Sequence, residues 1–294
     1  MPELSPEDVQ ALVDSVGRRW WHSIDLGHGI VTPGTKPLAT MQAEIAALDL
    51  GDLSGKTVLD IGAWDGAFSF ECERRGAERV VALDHFIWSV DLEAQQDYLA
   101  ECAAAGTPPR PWDEVPSVWK PDELPGKQGF DAAHAALGSN VEAVVADFST
   151  MDLAPLGQFD LVLYLGVLYH MPDPYGSLTR VATVSRDRAL VETEMLVVPG
   201  AEHYGVAEFI ASDELGRDPT NWWVPNRTAL LGMLRAAGFT RATMPPAPVP
   251  LHPPAPRRRD RIRAAAFDVH SGQEVPWEPV DPVRYRAVAT AHRT

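Results

Sequence analysis

An alternation that begins at Thr57 constrains this chain more than any other feature. TVLDIG is followed by the helix-like AFSFECERRG, and then comes RVVALD. VEAVVAD, FDLVLYLG and RALVETEML repeat the strand pattern further on. These runs are apolar along their whole length. A strand reads that way when helices cover both faces of its sheet. Strands alternating with helices predict a doubly wound α/β domain of Rossmann-like type. Ligands of such sheets sit beyond the carboxyl ends of the strands, where the strand order reverses. The residues that end each strand are therefore the ones to search for chemistry.

The rest of the chain is placed around this alternation. A first helix is predicted over residues 6–19. Ser5 is its N-cap, Pro6 suits the first helical position and Asp8 completes a capping-box pattern. WWHSIDLGHGIVTPGTKP, residues 20–37, reads as a structured, lid-like loop, and a second helix spans about 40–48. The chain thus divides into helices and loop over 1–50 and an α/β domain over 51–294. After the second strand a helix is expected over about 89–105. A Pro/Trp-rich insertion over 107–126 and a short helix around 130–136 follow. Another helix begins near Tyr175. The segment 198–225 carries His203, Trp222 and Trp223. Asn226 caps the helix RTALLGMLRAAG, and Gly238 ends it. RATMPP opens a sixth strand, and 245–256 is proline-rich and irregular. The last strand is IRAAAFDV or YRAVATA, and periodicity alone does not choose.

Composition narrows the setting. No apolar run approaches the roughly 18 residues of a membrane span, and residues 161–169 are short enough for a buried strand. Residues 1–10 carry acids and two prolines rather than the basic start and apolar stretch of a secretory signal. Cys72 and Cys102 make neither a disulfide framework nor a metal spacing. A cytoplasmic protein is expected, with no membrane partner. The formal net charge is −16, from 25 basic and 41 acidic residues. Such a surface repels phosphate, so a nucleic-acid partner is disfavoured without being excluded. Arg257, Arg258, Arg259, Arg261 and Arg263 form one local basic cluster, to be read as a solvated turn or as a binding patch.

The sharpest motif ends the first strand: Asp60-Ile61-Gly62-Ala63-Trp64-Asp65-Gly66. Gly62 permits a tight turn and Gly66 lets the next helix start close to the strand. The GxxxG spacing differs from the GxGxxG of dinucleotide sites, which seats a pyrophosphate. A zwitterionic amino-acid ligand needs an acceptor for its ammonium and donors for its carboxylate. Asp60 and the loop backbone supply both. The glycines also have a purely structural reading. Asp84 ends the second strand, where an acid accepts from ribose hydroxyls or merely caps the next helix. Asp147-Phe148 ends the third, offering an acceptor to an adenine amino group and an apolar face. His85 and Phe86 either pack on the adenine or start a helix. Three acids on three consecutive strand ends favour a nucleoside ligand jointly.

This constellation resembles the class I S-adenosyl-L-methionine-dependent methyltransferases. Gly166-Val167-Leu168-Tyr169-His170, Asp173-Pro174, LVETEML and NWWVPN narrow the likeness to the family around the tRNA wobble-uridine (cmo5U) methyltransferases. The match covers about 20–239 and resumes at Arg286-Ala287-Val288, which favours YRAVATA as the last strand. The resemblance implies S-adenosyl-L-methionine as cofactor and a seven-stranded sheet of order 3-2-1-4-5-7-6 with strand seven antiparallel. It also implies that Gly166 borders the cofactor and that Tyr169 faces its reactive end. Two departures stand out. The basic stretch that follows Tyr-His in the wobble enzymes is here Met171-Pro172-Asp173, which disfavours a carboxylated cofactor. The 107–126 insertion is also extra.

Methyl transfer needs alignment of acceptor and methyl group, and a hydroxyl acceptor needs a base. His170 has a suitable unperturbed pKa, though it serves equally well as a shaper of the loop. Of Glu192 and Glu194, at the end of the fifth strand, one is expected to face the cleft and the other solvent. His22, Asp25, His28 and His203 are lid or surface residues. Trp222 and Trp223 stack on an acceptor or pack a helix entry. Trp112 and Trp119 of the insertion are ambiguous in the same way, with an acceptor wall as one reading. No His/Cys/Asp set has metal spacing, so no metal is predicted. The leading expectation is O-methylation of a small molecule or glycan. The alternatives are a wobble-uridine-type RNA methyltransferase, distinguished by tRNA binding, and a non-catalytic nucleoside-binding protein, which would transfer to no acceptor.

Overall fold

The computed structural model describes residues 4–198, 201–246 and 283–293. Ser5 caps α1 (Pro6–Val16) by accepting from the Asp8 N–H, and α2 spans Leu38–Ala47. The α/β alternation then runs β1 (Thr57–Ile61), α3 (Ala67–Arg74), β2 (Arg79–Asp84), α4 (Phe86–Ser89) and α5 (Leu92–Ala105). It continues with α6 (Gln128–Leu137), β3 (Glu142–Val145), β4 (Phe159–Leu165), α7 (Pro174–Val184) and β5 (Ser185–Val197). A small pair, β6 (Ala207–Phe209) and β7 (Trp223–Pro225), precedes α8 (Arg227–Ala236), β8 (Arg241–Thr243) and β9 (Val283–His292).

Seven strands form one sheet in the order β3-β2-β1-β4-β5-β9-β8. Counting only the strands of this sheet, the order is the expected 3-2-1-4-5-7-6. β9 contains YRAVATA and runs antiparallel to both β5 and β8. Because β1 pairs with both β2 and β4 in parallel, the order reverses beside β1.

The continuous apolar strands divide their side chains between two layers. Val58, Val80 and Ala82 face a core shared with α1, α2, α3 and α6, including Val9, Val13, Met41, Phe70 and Phe130. Leu59, Val81 and Leu83, one position on, face the other layer with Leu178 and Val181 of α7 and Leu230 and Leu234 of α8. That is the period-two alternation of a strand buried on both sides. Each fully buried Val, Leu or Ile contributes roughly 1.5–3 kcal/mol. The N-terminal helices therefore belong to the main core.

Two expectations need revision. The first helix ends at Val16 and its last turn tightens to a 3-10 turn over Gly17–Arg19. The helix expected over 89–105 is broken. Val90 is extended and bridges to Trp119 of the insertion, and Asp91 caps a fresh helix by accepting from the Ala94 N–H. A tertiary pairing overrides local propensity there. The segment 198–225, for which the sequence pattern predicts no element, contains the β6–β7 pair, whose strands are too short for a periodic signal. The Arg257–Arg263 cluster and IRAAAFDV lie outside the described residues, as does most of the proline-rich stretch. No described helix is long and apolar enough to cross a membrane.

Candidate functional site

A cavity of about 1090 Å³ opens at the carboxyl ends of β1, β2, β4 and β5. This is slightly above the roughly 300–1,000 Å³ of ligand pockets. Asp60, Gly62, Asp84, His85, Asp147, Phe148, Gly166, Tyr169, His170 and Glu192 all line it. Gly66 does not. A Cβ there would lie 2.6 Å from the Phe70 ring and 2.7 Å from the Phe130 ring. Its glycine thus serves helix–strand packing. Gly62 has φ +78°, and a Cβ on it would lie 2.5 Å from Cγ2 of Val167, which keeps the turn after β1 tight against the loop after β4.

The two buried acids have different partners. Asp60 is 2% exposed and its Oδ2 accepts from the Ser69 hydroxyl at 2.6 Å. Burial pushes its pKa up to about 6. Asp84 is 4% exposed and accepts the N–H groups of Trp64 at 3.0 Å and Ile87 at 3.1 Å. Burial raises it too, to about 6. So Asp84 tethers the β1 turn and the start of α4 through both oxygens and also lines the cavity. Asp147 is exposed, and Ser149 and Thr150 hydrogen-bond to its side chain. These bonds lower its pKa despite an opposing desolvation effect, which is individually the largest.

The loop of residues 20–37 reaches the site through a residue the sequence reading passed over. Asp65, 1% exposed, accepts from the backbone N–H groups of Trp21 at 3.1 Å and His22 at 2.8 Å, and pairs with His22 Nδ1. Trp21 stacks on Trp64 at 4.9 Å, and Trp21 and His22 line the cavity. Asp25, His28 and His203 do not. Trp64 also lines it, and its indole Nε1 is buried without a partner. A ligand acceptor would relieve that cost. The cavity therefore fits a nucleoside-plus-amino-acid ligand: buried acceptors at Asp60 and Asp84, a tight turn at Gly62 and an orphan donor at Trp64.

At the other end, His170 is held by two residues that sequence reasoning missed. Its Nδ1 lies 3.1 Å from the carbonyl of Thr220 and 2.9 Å from the Thr220 hydroxyl. That hydroxyl donates to Asp218 Oδ1 at 2.6 Å, as does the Thr220 N–H at 2.8 Å. A carbonyl only accepts, so Nδ1 carries the proton and Nε2 keeps its lone pair. Burial holds the imidazole pKa below its usual value. Asp218 and Thr220 carry no local motif, being brought to His170 across 50 residues by the pairing of Trp222 N–H with the Tyr169 carbonyl at 2.7 Å.

Of Glu192 and Glu194 only Glu192 lines the cavity, as the sequence pattern allows, but Glu194 is not left to solvent. Residues two apart on a strand share a face, and both carboxylates bind Arg286 of β9. Glu192 does so through two bonds of 2.6 and 2.7 Å, and Glu194 at 3.1 Å. Both oxygens of Glu192 are thereby engaged. The guanidinium also lies 5.2 Å over the Tyr169 ring and within 3.3 Å of its hydroxyl. The loss of a basic stretch after His170 thus does not leave the cavity without cations: Arg286 and Lys36 line it. Lys36 is paired with Glu44 at 2.7 Å. Trp222 lines the cavity, whereas the Trp223 indole donates to the Pro172 carbonyl at 3.2 Å, directly before Asp173, which caps α7. Among the described residues no group of three or more His, Cys, Asp or Glu is placed to hold a metal ion.

Comparison with known proteins agrees with this geometry. A methyltransferase-domain model matches residues 38–243. Curated relatives include the tRNA U34 carboxymethyltransferase of Actinobacillus succinogenes, 25% identical over 191 residues, covering 65% of this chain and 47% of the relative. The same enzyme of Pseudomonas savastanoi pv. phaseolicola is 28% identical over 191 residues, covering 64% and 47%. The chain spans about half the length of these curated relatives. Among solved structures, the N-terminal domain of EvdMO1 in the presence of SAH and D-fucose superposes with a TM-score of 0.51 at 18% identity, covering 99% of this chain and 97% of that one. Haemonchus contortus phosphoethanolamine N-methyltransferase 2 in complex with S-adenosyl-L-methionine gives 0.50 at 10% identity, covering 88% and 54%. At such identities the structural likeness establishes the shared fold. With the family model spanning most of the chain and the seven-stranded sheet in place, this protein belongs to the methyltransferase-domain family and is a class I S-adenosylmethionine-dependent methyltransferase.

Proposed function

We propose that the chain methylates a hydroxyl group on a small molecule or glycan, with His170 as the general base. The carrying observation is the tautomer of His170: Nδ1–H is fixed by Thr220, and Nε2 makes no hydrogen bond to any described residue. When bound, the cofactor supplies a methyl group activated by a sulfonium. The task of His170 is to accept, at Nε2, the proton that the acceptor hydroxyl loses. Its lowered pKa keeps it neutral, and so competent as a base, at neutral pH. Tyr169, whose ring lies 4.3 Å from that of His170, and Trp222, whose N–H donates to the Tyr169 carbonyl, form the wall against which the acceptor is aligned. Asp60, Asp84 and Asp147 hold the cofactor's ammonium, ribose and adenine respectively, with His85, Phe148 and Gly166 closing round it.

A second reading, wobble-uridine-type RNA modification, is favoured by the curated relatives and by Arg286 beside Tyr169. A carboxylated cofactor would be drawn to a free cation there. In this chain Glu192 and Glu194 already bind Arg286, leaving the cluster with formal charge −1. Another carboxylate would meet net repulsion, which supports the plain cofactor. Calorimetric titration with S-adenosylmethionine and its carboxylated analogue, side by side, tests this. Tighter binding of the plain form is expected, and tighter binding of the carboxylated form makes tRNA the leading acceptor. For the base, His170→Ala should lower turnover at least 100-fold and cofactor affinity less than threefold. Equal losses in both refute the assignment.

A further inference from the structure

We propose that the insertion over residues 107–126 is a cofactor clamp: it closes the nucleoside end of the cavity, and Trp119 forms the wall beside the base and ribose. The insertion then governs cofactor affinity, not acceptor choice. This rests on the S-adenosylmethionine reading of the cavity and is independent of the acceptor.

Placement is the first argument. Trp112 and Trp119 both line the cavity. The Trp119 ring lies edge-on to His85 at 5.5 Å and beside Phe86 at 5.3 Å. His85 and Phe86 directly follow Asp84 at the end of β2, the position that faces ribose in sheets of this type. The reactive-end residues Tyr169 and His170 come from the loop after β4 and Glu192 from β5, which pairs with β4. β1 separates those strands from β2.

The second argument is attachment. Val90 bridges to Trp119, the Asp91 N–H donates to the Val118 carbonyl at 2.8 Å, and the Lys120 N–H donates to the Ser89 carbonyl at 2.7 Å. Lys120 Nζ pairs with Asp91 at 2.7 Å. Trp112, Val115 and Val118 are buried with Val90 and Leu92 in a core of their own. At the far end, a Cβ on Gly126 would lie 2.0 Å from the Ile87 carbonyl oxygen, so the chain runs against the backbone of α4 there. Every one of these anchors falls on residues 87–92, just after Asp84.

The third argument is chemistry. Trp119 is only partly buried although its backbone is tied down on both sides. An aromatic face fixed in position beside a histidine and a phenylalanine suits a purine, because every base has a π-face to stack on. Trp112 thus packs the core of the insertion, and Trp119 takes a third role, neither acceptor wall nor packing.

Calorimetry with S-adenosylhomocysteine and with 5′-methylthioadenosine, which lacks the amino-acid end, tests the clamp. Trp119→Ala should weaken both ligands by the same factor, about 10- to 100-fold. Trp119→Leu, which keeps apolar volume over the anchors, should lose as much and carries the test if the alanine variant does not fold. Trp119→Phe should stay within about threefold of the unsubstituted protein. Trp222→Ala, at the His170 end, should leave methylthioadenosine affinity unchanged. Retained affinity for both ligands in Trp119→Leu overturns the clamp alone, as does an equal loss in Trp222→Ala. Failure of the unsubstituted protein to bind either ligand overturns the cofactor reading and the clamp with it.

Discussion

Replacing Asp84 with Asn separates the two tasks of this carboxylate. It is 4% exposed, and burial lifts its pKa from 3.8 to about 6. The folded value lies above the unfolded one, so stability present below about pH 4 is lost as pH rises through about 6. A displacement of that size corresponds to about 3 kcal/mol. Asn carries no charge and avoids this cost at pH 7.5. Its NH₂ group, however, leaves one of the Trp64 and Ile87 N–H donors without an acceptor, costing about 1–3 kcal/mol. The two effects nearly cancel, and the ligand-free melting temperature should move by only a few degrees. Cofactor binding has no such compensation. Ribose hydroxyls donating to an ionised carboxylate are worth about 1.5–3 kcal/mol each, and Asn keeps one acceptor. The loss should be about 2–4 kcal/mol, or roughly 30- to 1,000-fold in the dissociation constant of S-adenosylhomocysteine. Ligand donors also favour the ionised form. Affinity of the unsubstituted protein should therefore rise from pH 5 to pH 7 with proton release, and this dependence should be weaker in Asp84→Asn. Calorimetry in two buffers of different ionisation enthalpy reads both. A dissociation constant within threefold of the unsubstituted protein would refute the ribose assignment.

Two further substitutions probe the frame of the site. Asp65→Ala removes the acceptor for the Trp21 and His22 N–H groups, at about 2–4 kcal/mol; melting should fall by roughly 4–15 °C and proteolysis within residues 20–37 should quicken, whereas an unchanged melt and cleavage rate would show that the loop is held by its other contacts. Gly62→Ala places a Cβ 2.5 Å from Val167 Cγ2 at φ +78°, so cofactor affinity should fall at least tenfold. Adding Val167→Ala should recover part of that loss, and no recovery would mean that backbone strain rather than the clash is responsible.

The frame of this protein was legible in the sequence because its signals are local. Continuous apolar runs marked β1, β2, β4 and β5 as strands with buried faces, whereas the similar run of β3 lies at the sheet edge and is mostly exposed; Ser5 and Asn226 marked helix starts by the side-chain oxygens they offer. The three acids at the carboxyl ends of β1, β2 and β3 follow from the same pattern: Asp60 precedes the last residue of β1, Asp84 ends β2 and Asp147 lies just past β3, and parallel strands place those ends along one edge. The choice of YRAVATA for β9 required a resemblance, since both candidates alternate alike.

What tertiary structure decided was everything that depends on contacts distant in sequence. Val90 leaves its helix because Trp119 pairs with it, and neither residue signals this alone. Gly66, equal to Gly62 in the motif, turns from the cavity to the Phe70 and Phe130 rings. Glu192 and Glu194 share a partner because β9 returns antiparallel beside β5 and sets Arg286 between them. Thr220 and Asp218 fix the proton of His170 from 50 and 48 residues away, and so decide which nitrogen is free to act as a base. Hydrophobic periodicity reports which face of an element is buried; the identity of the partner across the fold is set by chain topology, which no single segment contains.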